Sequence, residues 1–165
     1  MEGAVALFED DGTFIKAMRM PIVGAGRGRE VDLALVRGML EAYAPKVVGL
    51  ETVHSMPKQG VASTCTTCRG HGELKGLLCG LHIPCQPVLP QRWVKKFVGQ
   101  KKLTYAERKA ESVKVARYRW PELPIKYKRD WGMADASWIA LYAWREFSGP
   151  GVSPSRRSRP SPETE

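Results

Sequence analysis

No stretch of this sequence approaches the roughly 18 consecutive apolar residues of a membrane span. Met1-Glu2 also opens it without the basic segment of a secretory signal. A cytoplasmic protein is therefore expected, with no membrane partner. Cysteine is scarce, four in 165 residues, and in a reducing compartment these are expected as thiols or ligands rather than disulfides. Acidic residues are also in short supply: 26 Lys and Arg stand against 17 Asp and Glu, a formal net charge of +9. From residue 148 onward Arg156, Arg157 and Arg159 face Glu163 and Glu165, which is one positive charge and leaves +8 on residues 1–147. A basic surface of that size attracts polyanions, of which nucleic acid is the usual one, and an enzyme of small solutes has no need of it. The same closing stretch is Pro-, Ser- and Arg-rich with almost nothing apolar to bury, so 148–165 is expected to be a disordered tail. Residues 1–147 make one domain, and a 43% apolar content supplies a sizeable core.

Residues 4–8 read as a strand, Asp10-Asp11-Gly12 as a hairpin turn, and 14–20 as the returning strand. After a 24–28 loop, Val31, Leu35, Met39 and Leu40 recur at helical spacing and stop before Pro45. The apolar run 46–51 is a buried strand, 55–67 a polar loop, 70–80 a helix and 85–89 a short strand. Pro90-Gln91-Arg92-Trp93 reads as a basic turn, 105–118 as a long basic helix, and a last helix carries Ser137-Trp138-Ile139-Ala140-Leu141-Tyr142-Ala143-Trp144. This order, ββαβαβαα, implies an α/β fold with a mixed sheet and helices packed on its faces.

Two acids stand out against this frame. Glu51 ends the run Lys46-Val47-Val48-Gly49-Leu50, so a buried strand delivers a carboxylate to a sheet edge, where it has no obvious cap to make. Asp135 opens the last helix, where the plain alternative is a helix cap. A strand-end Glu and a helix-start Asp can share a hard divalent ion, and oxygen-only ligands suit Mg²⁺, whose other positions go to water and substrate phosphate. That combination points to phosphodiester chemistry.

Several ordered motifs then carry a resemblance. Glu51-Thr52-Val53-His54-Ser55-Met56-Pro57, Arg69-Gly70-His71-Gly72-Glu73-Leu74-Lys75-Gly76, Pro90-Gln91-Arg92-Trp93 with Lys95, and Lys128-Arg129-Asp130-Trp131-Gly132-Met133-Ala134-Asp135-Ala136 resemble the RuvC-type Holliday junction resolvases, especially their phage-encoded branch. The likeness covers nearly all of residues 1–147. It implies an RNase H-like mixed five-stranded sheet flanked by helices, a homodimer in a bacterial or phage-infected cell, and hydrolysis dependent on two Mg²⁺ ions (or Mn²⁺) that nicks a four-way DNA junction. Glu51, Asp135 and Asp130 are the implied catalytic metal ligands, Asp130 on condition that the helix begins after it, near Gly132. The DNA grip is expected from Lys58, Arg69, Arg92, Lys95, Lys96, Lys101 and Lys102 at the same sheet edge, contacts that position phosphates without reading sequence. His54 is either a contact to junction bases or a plain loop histidine. Trp93, spaced with Val94 and Phe97, is expected as a core anchor. The cations of the long helix, Arg108, Lys109, Lys114 and Arg117, with Arg119 beyond it, either extend the DNA surface or form a solvated face.

One departure matters. The family opens with a central strand ending in Asp-Pro-Gly, followed shortly by Gly-Ala; here Gly3-Ala4 is present but only Met1-Glu2 precedes it. The expectation is a sheet without its first central strand, and so without one ligand, in which residues 4–8 and 46–51 flank a vacant lane. Buried unpaired backbone groups there cost about 1 to 3 kcal/mol each. An upstream start that restores the strand, or a truncated relic that binds DNA without cutting, are the two accounts. A rival metal reading rests on Cys65, Cys68 and His71, followed by Cys79, His82 and Cys85. A helix over 69–80 separates Cys68 from Cys79 by about 16 Å, too far for one zinc ion, so zinc is not expected.

Overall fold

The computed structural model describes residues 3–53, 60–99 and 103–148. Strands β1 (Ala4–Phe8) and β2 (Phe14–Arg19) form an antiparallel hairpin with Ala6 opposite Ala17. Its turn needs Gly12, which takes φ +86°, a left-handed conformation that side-chain-bearing residues disfavour. A small ribbon of β3 (Ile22–Val23) and β4 (Glu30–Val31) closes the 24–28 loop.

Helix α1 (Leu33–Tyr43) starts at Asp32, whose side chain accepts the Leu35 N–H at 2.9 Å. That cap fixes the helical phase. Val31 therefore stays in β4 and Val36 becomes the buried residue of the helix, while Leu35 is 54% exposed, a shift from the apolar stripe expected from spacing alone. Strand β5 (Val48–Glu51) runs parallel to β6 (Cys85–Val88), with Glu51 opposite Val88. The connection between these parallel strands contains α2 (Val61–Gly80). Then follow α3 (Pro90–Phe97), α4 (Tyr105–Arg119), a 3-10 turn at Lys128–Asp130, and α5 (Gly132–Phe147).

Three expectations change. Helix α2 begins at Val61, inside the stretch read as a loop, because Thr64, Thr66 and Thr67 turn their hydroxyls onto the carbonyls of Gly60, Ala62 and Ser63 at 3.3, 2.9 and 3.0 Å. The Thr- and Ser-rich run satisfies itself within a helix rather than breaking it. Residues 90–93 are the first turn of a helix, with Pro90 at a position where the missing N–H has no intrahelical bond to make. Among the described residues the strands also pair two by two, β1 with β2, β3 with β4 and β5 with β6, rather than as one five-stranded sheet. The 149–165 part of the expected tail lies outside the described residues.

Helix α5 holds the hairpin and the parallel pair together, packing against β1, β2, β5 and β6 as well as α3 and α4. Its buried residues include Met133, Ala134, Ser137, Trp138, Ile139, Leu141, Tyr142 and Ala143. Aromatic rings continue the core on either side: Trp138 lies 4.6 Å from Trp120 and 5.1 Å from Phe97 between ring centroids, and Trp120 meets Phe8 and Phe14. Helix α4 is started by a reciprocal Thr104–Glu107 capping box.

Gly49 sets the height of β5 on α5. A Cβ there would stand 2.7 Å from the Ala143 Cβ and 3.3 Å from the Ile139 carbonyl oxygen, and neither the helix backbone nor a methyl on it can swing away. Gly49→Ala is expected to destabilise the fold by about 1 to 3 kcal/mol through overpacking. Gly72→Ala, on the exposed side of α2 with nothing within 4 Å of the new methyl, should instead stabilise by up to ~1 kcal/mol. Urea unfolding of the two variants measures this; equal shifts of the same sign contradict the close approach.

Candidate active site

Glu51 reaches the end of β5 because Val48, Gly49 and Leu50 hold the strand between β6 and α5. Its carboxylate is oriented by Trp93, whose indole N–H donates to Oε1 at 3.1 Å. Trp93 is 4% exposed, so it is the core anchor expected and also a partner of the candidate ligand. That second role had no local signal, since 42 residues separate the pair.

Asp135 sits in the first turn of α5, and its side-chain bonds run to α4 instead of capping its own helix. The Lys109 ammonium pairs with Oδ2, and the Ser112 hydroxyl donates to Oδ1 at 3.1 Å. Ser112 is itself buried, and its carbonyl accepts the Trp138 indole N–H at 3.2 Å. Burial alone would lower the pKa of the Lys109 ammonium, but the Asp135 charge and hydrogen bond, with further contributions from Tyr105 and Glu51, carry it above the ordinary 10.5. Asp135 of α5 thus contacts Lys109 of α4 directly, and the charge of Glu51 acts on the same ammonium only as a lesser influence.

Asp130 is different. It is 2% exposed and every bond to it is structural: Arg19 Nε donates to Oδ1 at 2.8 Å with a second contact from the same guanidinium, while the Lys126 and Tyr127 N–H groups donate to Oδ2, each at 2.9 Å. The Tyr127 N–H is the main cause holding its pKa down at about 2, against the opposing effect of burial and with help from Lys126 and Arg19. Helix α5 does begin after it, at Gly132, as its ligand role required, yet its oxygens tie the end of β2 to the 128–130 turn. Among the described residues no three His, Cys, Asp or Glu side chains come together in a way that could hold a metal ion. The Glu51 and Asp135 carboxylates are donors of the kind a hard divalent ion takes, since such an ion uses one or two carboxylates and keeps several waters; no donor set for a second ion is present among the described residues.

The expected basic residues divide. His54, Lys58, Lys101 and Lys102 lie outside the described residues. Arg69, on α2, is engaged by Glu30 at 2.9 Å and by Glu73 at 3.7 Å. Arg92 opens α3 and lines a hollow of about 370 Å³ with Thr52, Pro87, Leu89, Tyr142 and Phe147, beside the Glu51 strand end. Lys95 is exposed, whereas Lys96 pairs with Glu146 and lies over the Tyr142 ring. Cys65, Cys68 and His71 ride on α2 itself, and the two cysteines are exposed free thiols. Among the described residues no helix is long and apolar enough to cross a membrane.

The chain matches no family model and no curated protein. Among solved structures it is similar to Thermus thermophilus RuvC, with 14% identity over 88% of this chain and 96% of that one and a TM-score of 0.49. It is similar also to T. thermophilus RuvC in complex with Holliday junction substrate, with 13% identity over 86% and 91% of the two chains and a TM-score of 0.45. Both likenesses are distant ones.

Because the folded-state pKa of Asp130 lies below the ordinary 3.8, its clamp contributes stability that is full above that value and is lost as pH falls toward about 2. The stability gap between the natural protein and Asp130→Asn should therefore narrow as pH drops through that window. Urea midpoints at a series of pH values measure it, and a gap that holds constant down to pH ~2 contradicts the clamp.

Proposed function

We propose that this chain is a divalent-metal-dependent endonuclease scaffold for branched DNA, with the four-way junction as substrate and a homodimer as the working form. The observation that carries this is the placing of Glu51 at the end of β5 and of Asp135 in the first turn of α5, the helix on which β5 packs. The resolvase-like motifs around both acids and the +9 net charge support the DNA part. In this proposal Glu51 and Asp135 are the primary ligands. Asp130, engaged by Arg19 and two backbone N–H groups, acts through the position of the turn that precedes α5.

When bound, a Mg²⁺ or Mn²⁺ ion there supplies Lewis-acid polarisation of the phosphate and lowers the pKa of a water. The chain's own part is positional. Trp93 and Ser112 hold the two carboxylates in fixed orientations, and Arg92 and Lys95 of α3, just beyond the β6 strand that pairs with Glu51, offer charge to the DNA backbone.

In this proposal a third carboxylate joins the site. β1 is paired with β2 and β5 with β6, α5 packs against both pairs, and no described strand joins them. A strand seated between β1 and β5, ending in an acid beside Glu51, would complete both the ladder and the cage. The second account is a DNA-binding relic without catalysis, favoured by the lack of a three-acid cluster among the described residues.

With that strand supplied, Glu51→Gln and Asp135→Asn should each cut Mg²⁺-dependent nicking of a synthetic four-way junction by at least ~100-fold, the scale of losing one preorganised charge-stabilising group. Junction binding in Ca²⁺ should change little, since each substitution keeps the side chain's shape. Nicking that survives both changes would sink the metal assignment; binding without nicking in every form selects the relic.

Phosphate contacts make affinity fall with salt, and each one lost flattens the slope of log K against log salt by about 0.9. Lys95→Ala should show close to that full effect. Lys96→Ala should show less, because Glu146 already engages its ammonium. Filter binding or anisotropy from low to moderate salt tests this; identical slopes for all three proteins refute the assignment of α3 to the DNA surface.

A further inference from the structure

Lys109 has no part in the roles given to the acid pair so far, yet it is paired with one of the two acids and feels the charge of the other. Its side chain is 27% exposed and that of Asp135 13%, so the ion pair is partly withdrawn from water. It is held from three sides. Lys109 and Ser112 are three residues apart on α4, on one helix face, and take the two oxygens of the same carboxylate. Glu51, kept in place by the Trp93 indole, adds its field to the same ammonium. A partly buried carboxylate such as Asp135 needs a positive charge beside it, and in this fold the charge is a lysine: a compact ammonium on a flexible four-carbon stem.

A hard divalent ion would use the same Asp135 oxygen, and the ammonium and the ion cannot both occupy that contact. We propose that Lys109 is a built-in placeholder for the divalent ion, which balances the acid pair until the ion arrives and must leave Asp135 for the ion to bind. The proposal rests on the reading of this site as a divalent-metal centre. Ion loading is then an exchange, and the affinity for the ion is what remains after the Lys109–Asp135 pair has been broken. Removing the ammonium leaves Asp135 a charge without its main partner, which weakens the fold in the absence of the ion, while the ion no longer has a competitor.

The test is Mn²⁺ binding to the full chain, followed by the electron paramagnetic resonance of free Mn²⁺ and by thermal melts. Lys109→Met should bind Mn²⁺ at least about 10-fold more tightly than the natural protein, melt lower without the ion, and gain more from its addition. Lys109→Arg, which keeps the positive charge, should stay within about 3-fold of the natural affinity. The exchange also reads out without any substitution: Lys109 should be acetylated slowly by an amine-reactive reagent in metal-free buffer and several-fold faster in saturating Mg²⁺, as measured by mass spectrometry of its peptide. Unchanged Mn²⁺ affinity in Lys109→Met, or unchanged Lys109 acetylation on addition of Mg²⁺, overturns the placeholder. If Mn²⁺ binding is weakened by Glu51→Gln and Asp135→Asn but unmoved by Lys109→Met, the metal centre stands and the placeholder alone falls. If neither the natural protein nor Lys109→Met binds Mn²⁺, or if the two acid variants bind it as well as the natural protein does, the metal centre falls and takes the placeholder with it.

Discussion

Gly49 lets strand β5 lie against Ala143 and Ile139 of α5 with no side chain between them, and the placing of the acids depends on that approach. Glu51 is two residues further along the strand, and Asp135 is one helical turn before Ile139 and two before Ala143. The separation of the two carboxylates is thus governed by how closely a strand and a helix can pack, which is a stiff coordinate. A larger residue at position 49 would lift the strand and move one acid away from the other. The hairpin is held on the same helix, where Gly12 in its turn sits under the Trp144 ring and Trp144 donates its indole N–H to the Asp10 carbonyl at 2.9 Å.

Around this helix the polar groups of the interior fall into two sets with different purposes. Asp130 is buried and spent: four hydrogen-bond donors, two of them backbone N–H groups, fix the chain before α5 and leave its charge compensated by Arg19. Such a buried carboxylate stabilises the one geometry that satisfies it. Asp135 and Glu51 are held differently, each by a side-chain donor from a neighbouring helix, Ser112 or Trp93, that orients the carboxylate. Asp135 is further paired with the Lys109 side chain, where Asp130 takes two of its bonds from backbone N–H groups. One acid is thus built into the scaffold by backbone donors, while the other two are oriented by side chains.

The basic character of the chain is similarly sorted by the fold. Arg69 is absorbed by Glu30 and Glu73, and Lys96 by Glu146, so not all of the positive residues picked out by position are available to a phosphate. Among the described residues Arg92 and Lys95 on α3 pair with no acid, and Arg92 lines the hollow beside the β5 strand end. Net charge is a property of the whole chain; the ion pairs decide which faces keep it.

The sequence by itself determined the strand that ends at Glu51, the hairpin around Gly12, the long basic helix and the last helix beginning near Gly132, because each is coded by neighbours within a few residues. Its ordered motifs also picked out Glu51 and Asp135 without structural help. What only the tertiary structure decided lies in pairs far apart in the chain: Trp93 with Glu51, Arg19 with Asp130, Lys109 with Asp135. Local pattern cannot show that Asp130 is occupied, or that a lysine read as part of a DNA surface or of a solvated face meets a carboxylate on another helix, since both depend on how helices and strands come together. The same limit explains α2, where Thr hydroxyls bonded to carbonyls one turn back make a helix out of a composition that reads as loop. It explains the strands as well: alternation and apolar runs mark a strand, but which strands share a ladder is settled by the helix they pack on, and here α5 packs against two separate pairs.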